Sequence, residues 1–155
     1  PNSMLANTNT LTQDDRLEHL LQQLRQRGCR LTPQRVAILR TVLNSPDHPT
    51  AEQIFNQVWD QFPMTSMATV YNTLALLKDM GALLEIDLGH GGARYDGFNP
   101  QPHSHLICTR CHTILDTALP ELASLQASVA QSTGFQITSH RFDFFGICPN
   151  CQHKI

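Results

Sequence analysis

Cys108-Thr109-Arg110-Cys111 and Cys148-Pro149-Asn150-Cys151 repeat one Cys-x-x-Cys pattern, and they carry the most specific chemistry in the chain. Two residues between thiols allow a tight turn that aims both sulfurs at one point. Two such turns supply the four thiolates of a tetrahedral zinc ion. Disulfides are the other use of the same cysteines, and a cytoplasmic setting disfavours them. Four protein ligands close the coordination shell, so the expected zinc is structural. In peptide sites of this kind the metal contributes about 10–16 kcal/mol to folding. Cys29 is left over and reads as a partly buried thiol beside a basic helix.

A second constellation lies just ahead of the first cysteine pair. In His103-Ser104-His105 the two histidines alternate, so on a strand both imidazoles point to one side. Asp116 falls in the following strand, Asp96 closes the preceding hairpin, and His48 stands in His-Pro-Thr-Ala before a helix. Nitrogen and carboxylate oxygen without thiolate suit a borderline or hard divalent ion such as iron(II), manganese(II) or zinc. Taken singly, each histidine is more often structural. The His-x-His run feeding into a cysteine knuckle favours a second metal site.

The elements that must position these residues show in the apolar periodicity. Leu17, Leu20, Leu21 and Leu24 recur at helical spacing after Thr12, and Gly28 closes that stretch. Thr32-Pro33 starts a second helix with Val36, Leu39 and Leu43 inward, ending near Ser45-Pro46. Thr50 starts a third, with Ala51, Ile54, Phe55, Val58, Trp59 and Phe62 on one apolar face. Ser66 caps a fourth, whose Val70, Leu74 and Leu77 face inward before Gly81. Residues 82–88 and 93–98 read as strands around the glycine-rich loop 89–92. That order is the order of a winged helix-turn-helix, whose fourth helix would enter the DNA major groove. Thr69, Tyr71, Asn72 and Thr73 lie off its apolar stripe, free for base edges or phosphates.

Net charge is −2, yet Arg16, Arg25, Arg27, Arg30, Arg35 and Arg40 crowd one segment in which Glu18 is the only acid. A local basic field matters more to phosphate binding than the chain total. Residues 97–102 break the composition and read as a hinge. Beyond it the expected elements are strands near 103–108 and 113–117, a helix opened by Pro120 and closed by Gly134, and a final strand over 135–145. That helix turns Leu122, Leu125 and Val129 inward. The expected fold is α+β: a winged-helix DNA-binding domain over 4–96 and a small α/β dimerisation domain with structural zinc over 103–155. About fifty residues build little core of their own, so this second domain needs a staple or a partner chain. Pro1-Asn2-Ser3 ahead of Met4 reads as a cloning remnant. No run approaches the roughly 18 apolar residues of a membrane span, and no signal peptide opens the chain, so a cytoplasmic location is expected.

Together, Leu-Thr-Pro-Gln-Arg (31–35), His-Pro-Thr-Ala (48–51), Ala-Thr-Val-Tyr-Asn (68–72), Arg-Tyr-Asp (94–96), His-Ser-His-Leu-Ile-Cys (103–108) and the cysteine pairs resemble the Fur family. The resemblance runs from about residue 15 to 151 and rests on these motifs jointly. It implies a homodimeric winged-helix repressor in which a sensing metal, iron(II) or manganese(II), bridges the two domains. By resemblance the sensing ligands are His48, Asp96, His103, His105 and Asp116. Aspartate at 96 and 116 matches the peroxide-sensing PerR branch. Fur proteins often carry His-His-Asp-His around the two histidines; this chain has Pro102 and Ser104 there, leaving His140 as a remnant of that extra site.

The fold and the resemblance place Arg30, Thr32, Gln34, Arg35, Ser66, Thr69, Tyr71 and Asn72 at double-stranded DNA, on an operator with two-fold symmetric half-sites. Met64 stands where relatives often carry a polar or basic residue, and His112 where glycine is common. In the PerR-like mechanism iron at the site reacts with peroxide, and His48 and His103 each gain an oxygen; manganese represses without responding. An iron- or zinc-responsive metal-homeostasis regulator is the alternative inside the family. A thiol redox protein and a metal-storage protein are the alternatives outside it. No general base for hydrolysis stands out, and no enzymatic activity is expected.

Overall fold

The computed structural model describes residues 11–89 and 92–154. Residues 1–10, 90–91 and 155 lie outside the described residues, and with them the expected cloning remnant at 1–3, the expected start of the first domain and the middle of the expected glycine-rich loop.

Each helix of the first domain begins at a hydroxyl cap. Thr12 opens α1 (Gln13–Gln26) with a capping box. Its hydroxyl accepts the Asp15 N–H at 3.1 Å, and the Asp15 carboxylate accepts the Thr12 N–H at 3.0 Å. Thr32 caps α2 (Pro33–Asn44), Thr50 caps α3 (Ala51–Gln61) with Gln53 completing the box, and Ser66 caps α4 (Met67–Asp79). Leu17, Leu20, Leu21 and Leu24 of α1 pack with Ile54 and Val58 of α3 and Val70, Leu74 and Leu77 of α4 in one core.

Three packing expectations need correction. The buried line of α2 is Ile38, Leu39, Val42 and Leu43, with Val36 only half-buried at its edge. Trp59 is 47 % exposed. Ile54 and Val58 set the inner line of α3, and Trp59, one residue past Val58, is turned about 100° away from it. Thr73 is fully buried and donates its hydroxyl to the Thr69 carbonyl at 2.7 Å, so it is not free for DNA.

The wing is an antiparallel hairpin of β1 (Leu84–Asp87) and β2 (Ala93–Asp96), with Leu84 opposite Asp96. The second sheet has the order β4-β3-β5, built from β3 (Ser104–Cys108), β4 (Ile114–Thr117) and β5 (Asp143–Gly146). β3 is antiparallel to β4 and parallel to β5, the parallel return being made across α5 (Glu121–Thr133). A last turn, α6 (Pro149–Gln152), carries Cys151.

The final strand is shorter than expected, covering 143–146 and not 135–145. The register that sets His105 beside Asp143 would place residue 140 beside Pro102, which has no N–H to offer. The expected inward face of α5 is also open. Leu125 is 52 % and Val129 45 % exposed, and no residue of this helix is buried within the chain. A small cluster of Ile86, Ile107 and Ile114 docks the wing onto the second sheet. No helix among the described residues is long and apolar enough to cross a membrane.

At the junction Gly97 is pressed against α2. A Cβ there would lie 2.4 Å from Val42 Cγ1 and 3.0 Å from the Val42 carbonyl oxygen. Arg16 of α1 donates to the carbonyls of Gly97 at 2.7 Å and Phe98 at 2.8 Å, tying the chain down as it leaves the wing.

Candidate metal centres

Cys108 ends β3, Cys111 follows in the turn, Cys148 caps α6 and Cys151 lies within it. Their four sulfurs fall within 4.8 Å of one another. Cys111 and Cys148 Sγ are 3.7 Å apart. A disulfide requires about 2.05 Å. Four sulfurs about 2.3 Å from a tetrahedral zinc stand about 3.8 Å apart. The backbone N–H groups of Cys111 and Cys148 hold the Cys108 thiol down to about 5, and the Thr113 hydroxyl lowers Cys111. Cys151, crowded by the sulfurs of Cys148 and Cys111, is pushed up to about 12. Some thiols are thus poised to ionise while the last resists a further negative charge, a donor set suited to one divalent cation at its centre. Cys29 is half-buried against the helical core.

The second group joins residues from both sides of segment 97–102. His48 stands between α2 and α3 with a left-handed backbone (φ 53°), a conformation uncommon outside glycine. Arg94 of β2 secures it. The Arg94 Nε donates to the His48 carbonyl, and its two terminal nitrogens donate to the carbonyls of Asp47 and His112, each at 3.1 Å. Asp96 ends β2; its Oδ1 accepts the Asn99 N–H at 2.8 Å, which leaves Oδ2 turned inward. His103 Nδ1 donates to the Gln101 carbonyl at 2.7 Å. His105 Nδ1 donates to Asp143 Oδ1 at 3.0 Å. A carbonyl or carboxylate oxygen can only accept, so both imidazoles carry their hydrogen on Nδ1 and present a bare Nε2.

The presented atoms converge. His48 Nε2 lies 3.1 Å from Asp96 Oδ2 and 2.8 Å from Asp116 Oδ1. His103 Nε2 lies 3.2 and 3.0 Å from the same two oxygens, and His105 Nε2 is 3.8 Å from Asp116 Oδ1. Despite these approaches, His48 Nε2, Asp96 Oδ2, His103 Nε2 and His105 Nε2 are buried without a hydrogen-bond partner. They point at a common centre instead of at one another. A buried polar atom left unpaired costs about 1–3 kcal/mol. Donors at roughly 2.0–2.2 Å from one ion stand about 3–4 Å apart, which is the spacing seen. Burial pushes the His48 imidazolium down, but Asp96 and Asp116 outweigh it and hold its pKa above the ordinary value. Burial likewise pushes Asp96 up, and His48, the Asn99 N–H and His103 outweigh it. For His105 burial prevails over Asp143, and its pKa falls.

Five of the residues expected at DNA lie together on the first domain. Arg30, Thr32, Gln34, Arg35 and Thr69 line a shallow cleft with Met64, which is 88 % exposed. Tyr71 and Asn72 are exposed on α4. Thr32 and Ser66 spend their hydroxyls on helix caps. His112 and His140 are exposed and join neither ligand group. Sequence reasoning missed Arg94, Arg141 and Asp143 as neighbours of the site. The signal available was Arg141-Phe-Asp143, charges alternating inside an aromatic strand segment.

A winged-helix domain joined to a small sheet with a four-thiolate centre defines the class, and the chain belongs to the ferric uptake regulator family. The profile described as "Ferric uptake regulator family" matches residues 26–145. The chain is 41 % identical over 138 residues, 89 % of its own length and 93 % of its relative's, to the Peroxide-responsive repressor PerR of Staphylococcus aureus (strain USA300). It is similar to the solved structure of the Helicobacter pylori ferric uptake regulator Fur, described as revealing three functional metal binding sites. That likeness has a TM-score of 0.82 at 26 % identity, covering 92 % of this chain and 95 % of that one. The ferric uptake regulator of Francisella tularensis with iron superposes with a TM-score of 0.72 at 25 % identity, covering 81 % and 96 %.

Proposed function

We propose that the protein is a metal-dependent, DNA-binding transcriptional repressor that senses peroxide through iron-catalysed oxidation of its ligand histidines. The observation that carries this is the convergence of His48 and Asp96, from the winged-helix side, with His103, His105 and Asp116, from the other side of the hinge. The similarity to the staphylococcal peroxide-responsive repressor supports the same reading.

The five residues would hold iron(II) or manganese(II), and Cys108, Cys111, Cys148 and Cys151 would hold zinc for structure. Occupation of a site shared across the hinge favours one relative pose of the two domains. A ligand biases such an equilibrium only by its differential affinity for that pose. A coupling of about 1–3 kcal/mol changes DNA affinity about 5- to 150-fold.

The exposed Leu125, Val129, Phe142, Phe144 and Phe145 form the surface for a second copy of the chain. A two-fold dimer then offers α4 from each protomer to the two half-sites of a symmetric operator. Tyr71 and Asn72 would meet bases or phosphates, with Arg30, Thr32, Gln34, Arg35, Ser66 and Thr69 beside them. The protein would act in the cytoplasm as a regulator and not as an enzyme, a reading supported by its membership of the ferric uptake regulator family and its similarity to a peroxide-responsive repressor.

Iron(II) held by these residues would catalyse cleavage of the O–O bond of peroxide, the two electrons of the net reaction coming from the imidazole that gains the oxygen. The chain supplies the target and the access. His48 and His103 each contribute one nitrogen to the centre, and the side chains of Asp116, 41 % exposed, and His103, 13 % exposed, mark its open side. Insertion of one oxygen into an imidazole, with the second peroxide oxygen leaving as water, weakens that donor and releases the domain pose.

Peptide mass spectrometry after peroxide treatment of iron-loaded and manganese-loaded protein tests this. One added oxygen on the His48 or His103 peptide, with iron only and with loss of operator binding, is expected. Oxidation confined to cysteine peptides would refute it. DNA binding that tracks metal concentration, with no histidine oxidation, would move the protein to metal homeostasis.

A further inference from the structure

We infer that Asp143 is a positioning residue of the sensing site, presetting the tautomer of His105 and, through Arg141, fastening that ligand to the base of the wing. The inference rests on the reading above of His105 as a metal ligand.

His105 sits on the central strand of the sheet, and both cross-strand neighbours at its level are aspartates: Asp116 on β4 and Asp143 on β5. The two carboxylates do different things. Asp116 Oδ1 stands on the Nε2 side of the ring, among the converging donors, 3.8 Å away. Asp143 Oδ1 stands on the Nδ1 side at 3.0 Å, outside the group of converging donors, and its side chain is only 5 % exposed. A carboxylate buried next to an imidazole nitrogen holds the ring hydrogen there, fixing both the tautomer and the ring's orientation. His105 is thereby delivered with Nε2 bare before any ion arrives. His103 gains the same setting from a backbone carbonyl, whereas His48 Nδ1 is buried with no partner.

The second oxygen of Asp143 extends the arrangement. Its Oδ2 accepts from Arg141 Nε at 2.5 Å, and Arg141 Nη2 donates to the Asp87 carbonyl at 3.0 Å. Asp87 ends β1, and its own carboxylate caps the Gly89 N–H at 2.8 Å where the wing turns. One residue back, Ile86 is buried against Ile107 and Ile114 of the second sheet. The chain His105–Asp143–Arg141–Asp87 therefore joins a sensing ligand to the hairpin that flanks the DNA-reading helix. A carboxylate retained only to balance Arg141 would not need to be buried, nor to sit at the register of His105.

The test uses the whole chain, zinc-loaded and without regulatory metal. Nitrogen NMR of the unaltered protein reads the His105 tautomer directly, and the hydrogen is expected on Nδ1. Finding it on Nε2 overturns the inference whatever any variant does. Manganese(II) titration, followed by the signal of the free ion, is then compared across Asp143→Ala, Asp143→Glu and the unaltered chain. Asp143→Ala is expected to weaken binding about 10- to 100-fold with zinc content unchanged, and Asp143→Glu to recover much of the loss. Equal affinities for Asp143→Ala and the unaltered protein overturn the positioning role alone. Failure of the unaltered protein to bind manganese overturns the assignment of the site instead. If Asp143→Ala loses zinc or fails to fold, the tautomer in the unaltered protein decides.

Discussion

Gly97→Ala puts the smallest possible group into the tightest contact at the domain junction. Gly97 follows the ligand Asp96 directly, and its backbone is not in the left-handed region, so alanine carries no conformational penalty there. The cost comes from space. The new methyl would sit 2.4 Å from Val42 Cγ1, 3.0 Å from the Val42 oxygen and 3.2 Å from its carbonyl carbon. Val42 is fully buried in α2, and two of those three atoms are backbone, which a rotamer change cannot move. Overpacking costs typically about 1–3 kcal/mol, and the lower entropy of the unfolded alanine chain offsets about 0.4–1 kcal/mol of it. A net loss of about 1–2 kcal/mol lowers the melting temperature by about 2–8 °C for a chain of this size. Calorimetry on the zinc-loaded protein without regulatory metal reads the loss. A cycle with Val42→Ala isolates its origin, because that change removes the 2.4 Å contact and spares the backbone ones. The double variant should be more stable than the sum of the single losses by about 0.5–3 kcal/mol. Melting of Gly97→Ala at the native temperature, or strict additivity with Val42→Ala, would refute the reasoning.

Other outcomes follow from the same geometry. Arg94→Met removes the charged donor to the His48, Asp47 and His112 carbonyls; manganese affinity should fall about tenfold, the equivalent of one charge-assisted hydrogen bond, with zinc retained. Cys111→Ser opens the four-sulfur centre; zinc analysis and sedimentation should find a metal-poor chain whose second domain no longer dimerises. Because Asp96 and Asp116 hold His48 above its ordinary 6.5, the metal-free protein gains stability from that proton below pH 6.5. The gain should disappear as pH rises through the raised value. Manganese needs the same nitrogen bare, so its apparent affinity should climb over that window, and calorimetry in buffers of different ionisation enthalpy should register proton release. An affinity that stays flat as pH rises from 6.5 through the raised value would count against the assignment of His48.

The legible parts of this molecule were those governed by local rules. Thr12, Thr32, Thr50 and Ser66 announced four helix starts because capping depends on residues three positions apart. The four-sulfur centre was legible because each pair is a local turn. The wing and the cross-hinge ligand group came from motif order and resemblance. What escaped depended on contacts made across the fold. The length of β5 depends on what stands beside it on a distant part of the chain, where Pro102, level with residue 140, has no N–H to offer. No residue of α5 is buried among the described residues, so periodicity alone could not say what covers its apolar face. Thr73 looked polar and available, yet its hydroxyl could be satisfied one turn back, which let the helix bury it. Arg94 could not be found by spacing, and the alternating charges of Arg141-Phe-Asp143 did not say which ligand they serve, since each acts through elements far away in sequence.

Arg94 has a bearing on the order in which such a protein matures. Its guanidinium reaches the carbonyl of His48 and also that of His112, the residue directly after Cys111, which is itself left-handed at φ 59°. His112 adopts that pose in the turn that the cysteine pair closes, so the cradle beneath His48 presupposes a finished knuckle. A newly made chain that has not yet acquired zinc would meet iron with one of its ligands unsupported. On the function proposed above, zinc supply would then act as a licence for iron sensing, and a zinc-starved cell would carry copies deaf to peroxide however much iron it held.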